Sequence, residues 1–159
     1  MIGMLFDTNI YGKFVEEEEN EKIVEKLEQF KSEGRIVIHN FRVVRDELRN
    51  AKASSTLALH DKLTANTIHI VDKKVEKLAN EYFLKYRENG GIQKKTDNFM
   101  NDMRIIAFAT LKKIDIVCSE DTKAFHTKLA HDSYKEVNAK YLYRGPAFYT
   151  IKNLKKAWL

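Results

Sequence analysis

The sequence predicts an α/β fold in which a parallel sheet is covered by helices on both faces. Short apolar runs recur at residues 1–6, 36–38 and 114–118, none with period-2 alternation, as expected of fully buried strands. Longer segments with apolar residues at helical spacing lie between them, and residues 73–88 are the clearest. Strands that alternate with helices build a parallel sheet. No repeat or linker interrupts the pattern, so residues 1–159 are expected to form a single domain.

The first strand, residues 1–6, ends at Asp7. The acidic run Glu16, Glu17, Glu18 and Glu19 suits the start of a helix over about residues 21–32, because carboxylates are favoured at the positive end of the helix dipole. Ile23, Val24, Leu27 and Phe30 share one face of that helix, and Gly34 marks its end. Ile36-Val37-Ile38 is the second strand. A helix over about residues 42–51 carries Val43, Val44 and Leu48, with Glu47 among them. Residues 57–63 suit a helix and residues 67–71 a short strand.

In residues 73–88, Val75, Leu78, Ala79, Tyr82, Phe83 and Tyr86 follow the helical period until Gly90-Gly91. Residues 90–97 are a polar, basic loop. Residues 98–113 form a helix that is apolar almost all round from Ile105 to Ala109, which places it centrally. A strand at 114–118 and a helix at 122–130 follow. Beyond Pro146, residues 148–151 read as a short strand, then a basic tail carries Trp158.

Composition narrows the class of protein. A hydrophobic content of 43% argues against disorder. Lys and Arg number 28 against 23 Asp and Glu, giving a net charge of +5 that suits a polyanionic partner. Cys118 is the one cysteine, so no intrachain disulfide can form, and a reducing cytoplasm fits. No run approaches membrane-spanning length, and the first residues do not read as an export signal, so no membrane partner is expected.

Four acidic residues stand beside predicted strand ends: Asp7, Glu47, Asp102 and Asp121. Asp7 and Asp121 follow strands directly, and Glu47 and Asp102 sit on helices. In open parallel sheets ligands bind outside the carboxyl ends of the strands, where the strand order reverses. Converging carboxylates repel one another without a cation. A few oxygen ligands, with water completing the shell, suit Mg²⁺ or Mn²⁺. One or two such ions can activate water and stabilise a leaving oxygen in phosphoryl displacement. On this reading Asp7, Asp102 and Asp121 hold metal, and Glu47 holds metal or orients the attacking water. Thr8, Asn9 and Ser119 hydrogen-bond around them.

Each residue also has a plainer reading. Asp7 suits a helix N-cap, Asp121 with Ser119 an N-cap pair, Asp102 a first-turn carboxylate and Glu47 a solvated helix position. Glu120 beside Asp121 competes for the fourth acidic position. Arg42, Arg45, Arg49 and Lys52 recur at helical spacing beside Glu47, and with Lys94 and Lys95 they form a candidate RNA-binding track. The same residues would also suit ordinary solvated faces. The five histidines do not combine into a metal site, and His126 and His131 do not share a helix face.

Together, Asp7-Thr8-Asn9 after the first strand, Glu47 before Leu48, Asp102 before a buried Ile/Ala helix and Ser119-Glu120-Asp121 after a strand resemble the PIN-domain family of metal-dependent ribonucleases. The resemblance runs from Met4 to about Phe125 and looks most like archaeal-type and toxin-type members. It implies an α/β/α sandwich of Rossmann-related topology, a Mg²⁺ or Mn²⁺ site and cleavage of RNA. It also implies an antitoxin protein as partner in the toxin case, with a homodimer common. Residues 52–91 show nothing diagnostic of the family. The glycines make neither a dinucleotide fingerprint nor a P-loop. Asn9 stands where an aspartyl-nucleophile phosphatase needs a second Asp. The alternative reading is a non-catalytic RNA-binding or assembly module that keeps the fold.

Overall fold

The computed structural model describes residues 1–159. In chain order the elements are β1 (Ile2–Phe6), α1 (Thr8–Glu16), α2 (Glu21–Ser32), β2 (Ile36–Ile38), β3 (Asn40–Phe41), α3 (Arg42–Asn50), α4 (Ser54–Leu63), β4 (Ile68–His69), α5 (Lys73–Glu88), α6 (Asp97–Leu111), β5 (Ile116–Cys118), α7 (Thr122–Phe125), α8 (Lys128–Tyr141), β6 (Ala147–Tyr149) and α9 (Ile151–Trp158).

Strand β1 is the centre of the sheet, and Met4, Leu5 and Phe6 are fully buried on it. It pairs in parallel with β2 on one side and β5 on the other, with Met4 opposite both Ile38 and Ile116. Strand β6 pairs in parallel with β5, giving the order β2-β1-β5-β6. The chain therefore leaves β1 in one direction and returns on its other side. The order reverses between β1 and β5, which is where such sheets place their ligands. Strands β3 and β4 form a separate two-stranded parallel ladder.

Helix α5 packs on α6 and α8, while α1 packs on α3 and α4, and α2 on α4 and α9. The apolar stripe read from α5 is the buried one, with Tyr82 and Phe83 inside the core. The all-round apolar stretch of α6 is buried from Ile105 to Thr110 and stacks Phe108 on Phe41 with ring centroids 4.2 Å apart. The buried apolar residues form one cluster. Gly34 and Gly90 end α2 and α5 with positive φ, which glycine adopts without a Cβ clash. No helix is long and apolar enough to cross a membrane.

Several boundaries differ from the sequence reading. Helix α1 occupies residues left without an element, and its buried side is Ile10, Tyr11 and Phe14. The helix expected over 122–130 is two, because Thr127 caps a new start by accepting from Ala130 N at 3.2 Å. The second of them runs on to Tyr141. The strand expected at 148–151 is Ala147–Tyr149, since Thr150 caps α9 in a reciprocal pair with Asn153. The basic tail is thus a helix, with Ile151 and Leu154 buried and Trp158 against Phe30 at 5.4 Å.

Candidate active site

Asp7 leaves the top of β1 in extended conformation and caps α1, with Oδ1 accepting from Thr8 N at 2.8 Å. Its backbone N–H donates to Cys118 O at 2.9 Å, which locks the ends of β1 and β5 together. Its Oδ2 accepts from Ser119 Oγ at 2.8 Å and from Asn9 Nδ2 at 3.3 Å. Asn9 Oδ1 in turn accepts from Glu120 N at 3.1 Å, and Asp121 N donates to Ser119 Oγ at 3.0 Å. Asp7, Asn9 and Ser119 therefore form one network across the switch point between the two strands. Thr8 is a neighbour of a different kind. Its Oγ1 is buried and completes no hydrogen bond, yet it stands close enough to Glu47 to hold that carboxyl down.

The acids read from sequence lie within range of one another's charge. Asp7 is raised above its ordinary pKa by burial, which outweighs Ser119 and Thr8, and Asp121 adds to the rise. Burial and then the Asp7 charge push Glu47 up to about 7. Burial, followed by Asp7, Asp121 and Glu47, pushes Asp102 up to about 9. No lysine or arginine appears among the causes for any of the three. Even so, no three His, Cys, Asp or Glu side chains are grouped as they stand so as to hold a metal ion. The Asp7 oxygens are turned to the donors of Thr8, Asn9 and Ser119 instead.

Geometry separates Glu120 from Asp121. Glu120 Oε1 accepts from Ile151 N at 2.7 Å, capping α9 and facing away from the other acids. Asp121 caps α7 by accepting from Lys123 N at 3.1 Å, and its charge reaches both Asp7 and Asp102. The N-cap readings of Asp7 and Asp121 are thus also correct, and each carboxylate has a second oxygen beyond its cap.

Two supports had no sequence signal. His126 Nε2 donates to Ser119 O at 2.6 Å, and the Tyr134 hydroxyl donates to Ala124 O at 2.8 Å, so α7 is held on both sides of Asp121. Both bonds join residues that only the tertiary fold brings together.

The basic residues divide. Arg45 forms a two-bond pair with Asp61, at 3.1 Å for each bond, and is engaged within the protein. Arg49 meets Asp46 at 3.4 Å on an exposed face. Arg42 is exposed at the start of α3, and Lys52 follows its end with positive φ. Lys94 and Lys95 line an open hollow with Arg87 and Thr96 at the start of α6. Lys95 Nζ donates to Asn80 Oδ1 at 2.8 Å.

No family model and no curated protein matches the chain. Its fold is similar to that in the crystal structure of VapBC2 from Rickettsia felis bound to a DNA fragment from their promoter. The TM-score is 0.54 at 16% sequence identity, covering 78% of this chain and 91% of that one. At that identity the likeness concerns the fold. The architecture here is accordingly the expected PIN-like one, a parallel central sheet flanked by helices, with an acidic neighbourhood at its switch point.

Proposed function

We propose that the chain is a metal-dependent endoribonuclease that hydrolyses RNA phosphodiester bonds, and that it acts in the cytoplasm as the toxin of a toxin–antitoxin pair. The observation that carries this reading is the gathering of Asp7, Glu47, Asp102 and Asp121, without a cationic partner, where the strand order reverses. All the charged donors there are carboxylate oxygens, with the orphaned Thr8 hydroxyl beside them. That set fits a hard divalent cation, Mg²⁺ or Mn²⁺, better than a softer metal. Asp7, Asp102 and Asp121 would hold the ion. When bound, it supplies positive charge against the scissile phosphate and polarises the attacking water. Glu47 orients that water from α3. Asn9 and Ser119 keep the Asp7 carboxylate aimed, as hydrogen bonds to ligating carboxylates do elsewhere.

Arg42, Arg49, Lys52, Lys94 and Lys95 would guide the RNA backbone, with Arg45 contributing less because Asp61 engages it. The likeness to VapBC2, solved on a fragment of promoter DNA, supports an antitoxin partner. A homodimer is part of the same proposal.

The test is cleavage of mixed single-stranded RNA by wild type and Asp7→Asn, each with Mn²⁺, Mg²⁺ or EDTA. The expected result is cutting that needs metal and falls at least ~100-fold in the variant, the scale of losing a charge-stabilising group. Binding of RNA without cutting under every condition would select the binding or assembly module. Equal cutting by Asp7→Asn would remove Asp7 from the chemistry.

A further inference from the structure

The most enclosed polar cavity of the molecule is not at the carboxylates. It lies between α6, α8 and the amino end of β6, with a volume of about 460 Å³. That is within the range of small-ligand sites, which combine apolar walls with a few placed polar groups. The acids stand at the opposite, carboxyl ends of β1 and β5.

Its walls favour a flat ligand. The Phe148 ring stacks on His131 at 4.5 Å with planes 20° apart, and Tyr134 and Tyr143 also face the space. Offset stacking on such rings is a specific attraction beyond simple burial.

Its polar groups are donors. Asn138 is 5% exposed, and its Oδ1 accepts from the Tyr82 hydroxyl at 2.5 Å. Tyr82 is held in turn by Thr110 Oγ1 at 3.0 Å. The amide is therefore fixed with its oxygen toward Tyr82 and its NH₂ group toward the cavity, where Nδ2 donates to no protein group. A Cβ on Gly145 would stand 3.0 Å from that nitrogen, so the glycine keeps the approach to it clear. Lys135 is exposed at the rim and forms no salt bridge, and no acidic residue lines the cavity. A buried donor without a partner has a reason to exist if a ligand acceptor completes it.

We propose that this cavity binds a small planar aromatic carboxylate. The ring lies against Phe148 and Tyr143, and the carboxylate accepts from Asn138 Nδ2 and Lys135 Nζ. This site is independent of the nuclease reading.

The test is a titration of isotope-labelled protein, followed by backbone amide resonances, with indole-3-carboxylate and with indole. The carboxylate should give saturable shifts confined to α8 and β6, with a dissociation constant of roughly 1 mM for a ligand of this size. Indole should bind more weakly by about threefold or more, the scale of one exposed charge interaction. Lys135→Met should bring the carboxylate to the level of indole. Ala139→Trp, at an exposed wall position, should block both while the spectrum stays folded. No saturable shift around the cavity would overturn the proposal. So would equal binding of the two ligands to wild type, or carboxylate binding unchanged by Lys135→Met.

Discussion

The same side chains behave in opposite ways in two regions of this molecule. Around α4, α5 and α8, part-buried carboxylates are matched by cations. Burial alone would raise Asp61, but hydrogen bonds from Arg45 and His60 bring it below its ordinary value. The two-bond Arg104 pair, at 2.8 and 2.9 Å, holds Glu76 down. Glu81 is lowered despite burial by Lys140 and the Tyr141 hydroxyl. At the switch point, Asp7, Glu47 and Asp102 are all raised, and what surrounds them is burial and more carboxylate. A chain with 28 lysines and arginines leaves these acids unmatched while pairing others one or two turns away. Unpaired buried charge of one sign opposes folding, so its concentration at one strand junction marks a place kept for a cation rather than for stability.

The contrast has a pH signature. A carboxyl raised in the folded state binds more protons there than in the unfolded chain, so stability falls as pH rises toward the folded value. For Asp102 that window extends to about 9, and for Glu47 to about 7. The matched acids have the opposite sign, and their contribution is lost only as pH falls through their lowered values. His39, His60 and His69, lowered chiefly by burial, likewise weaken the fold only as it is acidified. Above neutral pH the unmatched acids therefore dominate. Metal-free protein should lose about 2 kcal/mol between neutrality and the Asp102 value, allowing for its partial exposure. Denaturant midpoints across that range measure it, and saturating Mg²⁺ or Mn²⁺ should flatten the slope.

Breaking a matched pair should have a smaller effect. Arg104→Met removes the partner of Glu76 and the bond to Asn101 Oδ1 at 2.8 Å. Glu76 is partly exposed and can rehydrate, so the expected loss is about 1 kcal/mol. The same loss with and without metal would keep the two regions distinct. A metal-dependent loss would join Arg104 to the acidic site through its neighbour Asp102.

How much of this was legible in the sequence follows from how local each signal is. The buried runs of β1, β2 and β5, the stripe of α5 and the stops at Gly34 and Gly90 all rest on neighbouring residues. The four acids were legible because strand ends and a helix period located them, although their mutual charge was not. Helix α1 was missed because Gly12 interrupts its pattern and the acidic run after it resembles a helix start. The end of α8 carries no glycine. Leu142 takes the left-handed conformation there and is 93% exposed, a position that composition would not single out. Helix α9 reads as basic until Trp158 meets Phe30, a contact 128 residues apart in sequence that only the fold supplies. The pairings Arg45–Asp61 and Glu120–Ile151 are likewise tertiary, and they decide which charges remain free for a partner.

The most direct test of the unmatched acids is the melting temperature of wild type and Asp102→Asn at mildly alkaline pH, with metal removed and then with Mn²⁺ added. The substitution keeps the side-chain shape and removes one charge from the cluster. Without metal the variant should be the more stable, by about 2 kcal/mol or roughly 4–8 °C. Wild type should gain roughly 2.7 kcal/mol from Mn²⁺ at a hundred times its dissociation constant, and the variant little, so that their order reverses. A variant less stable than wild type without metal, or one that gains as much from Mn²⁺, would contradict the account.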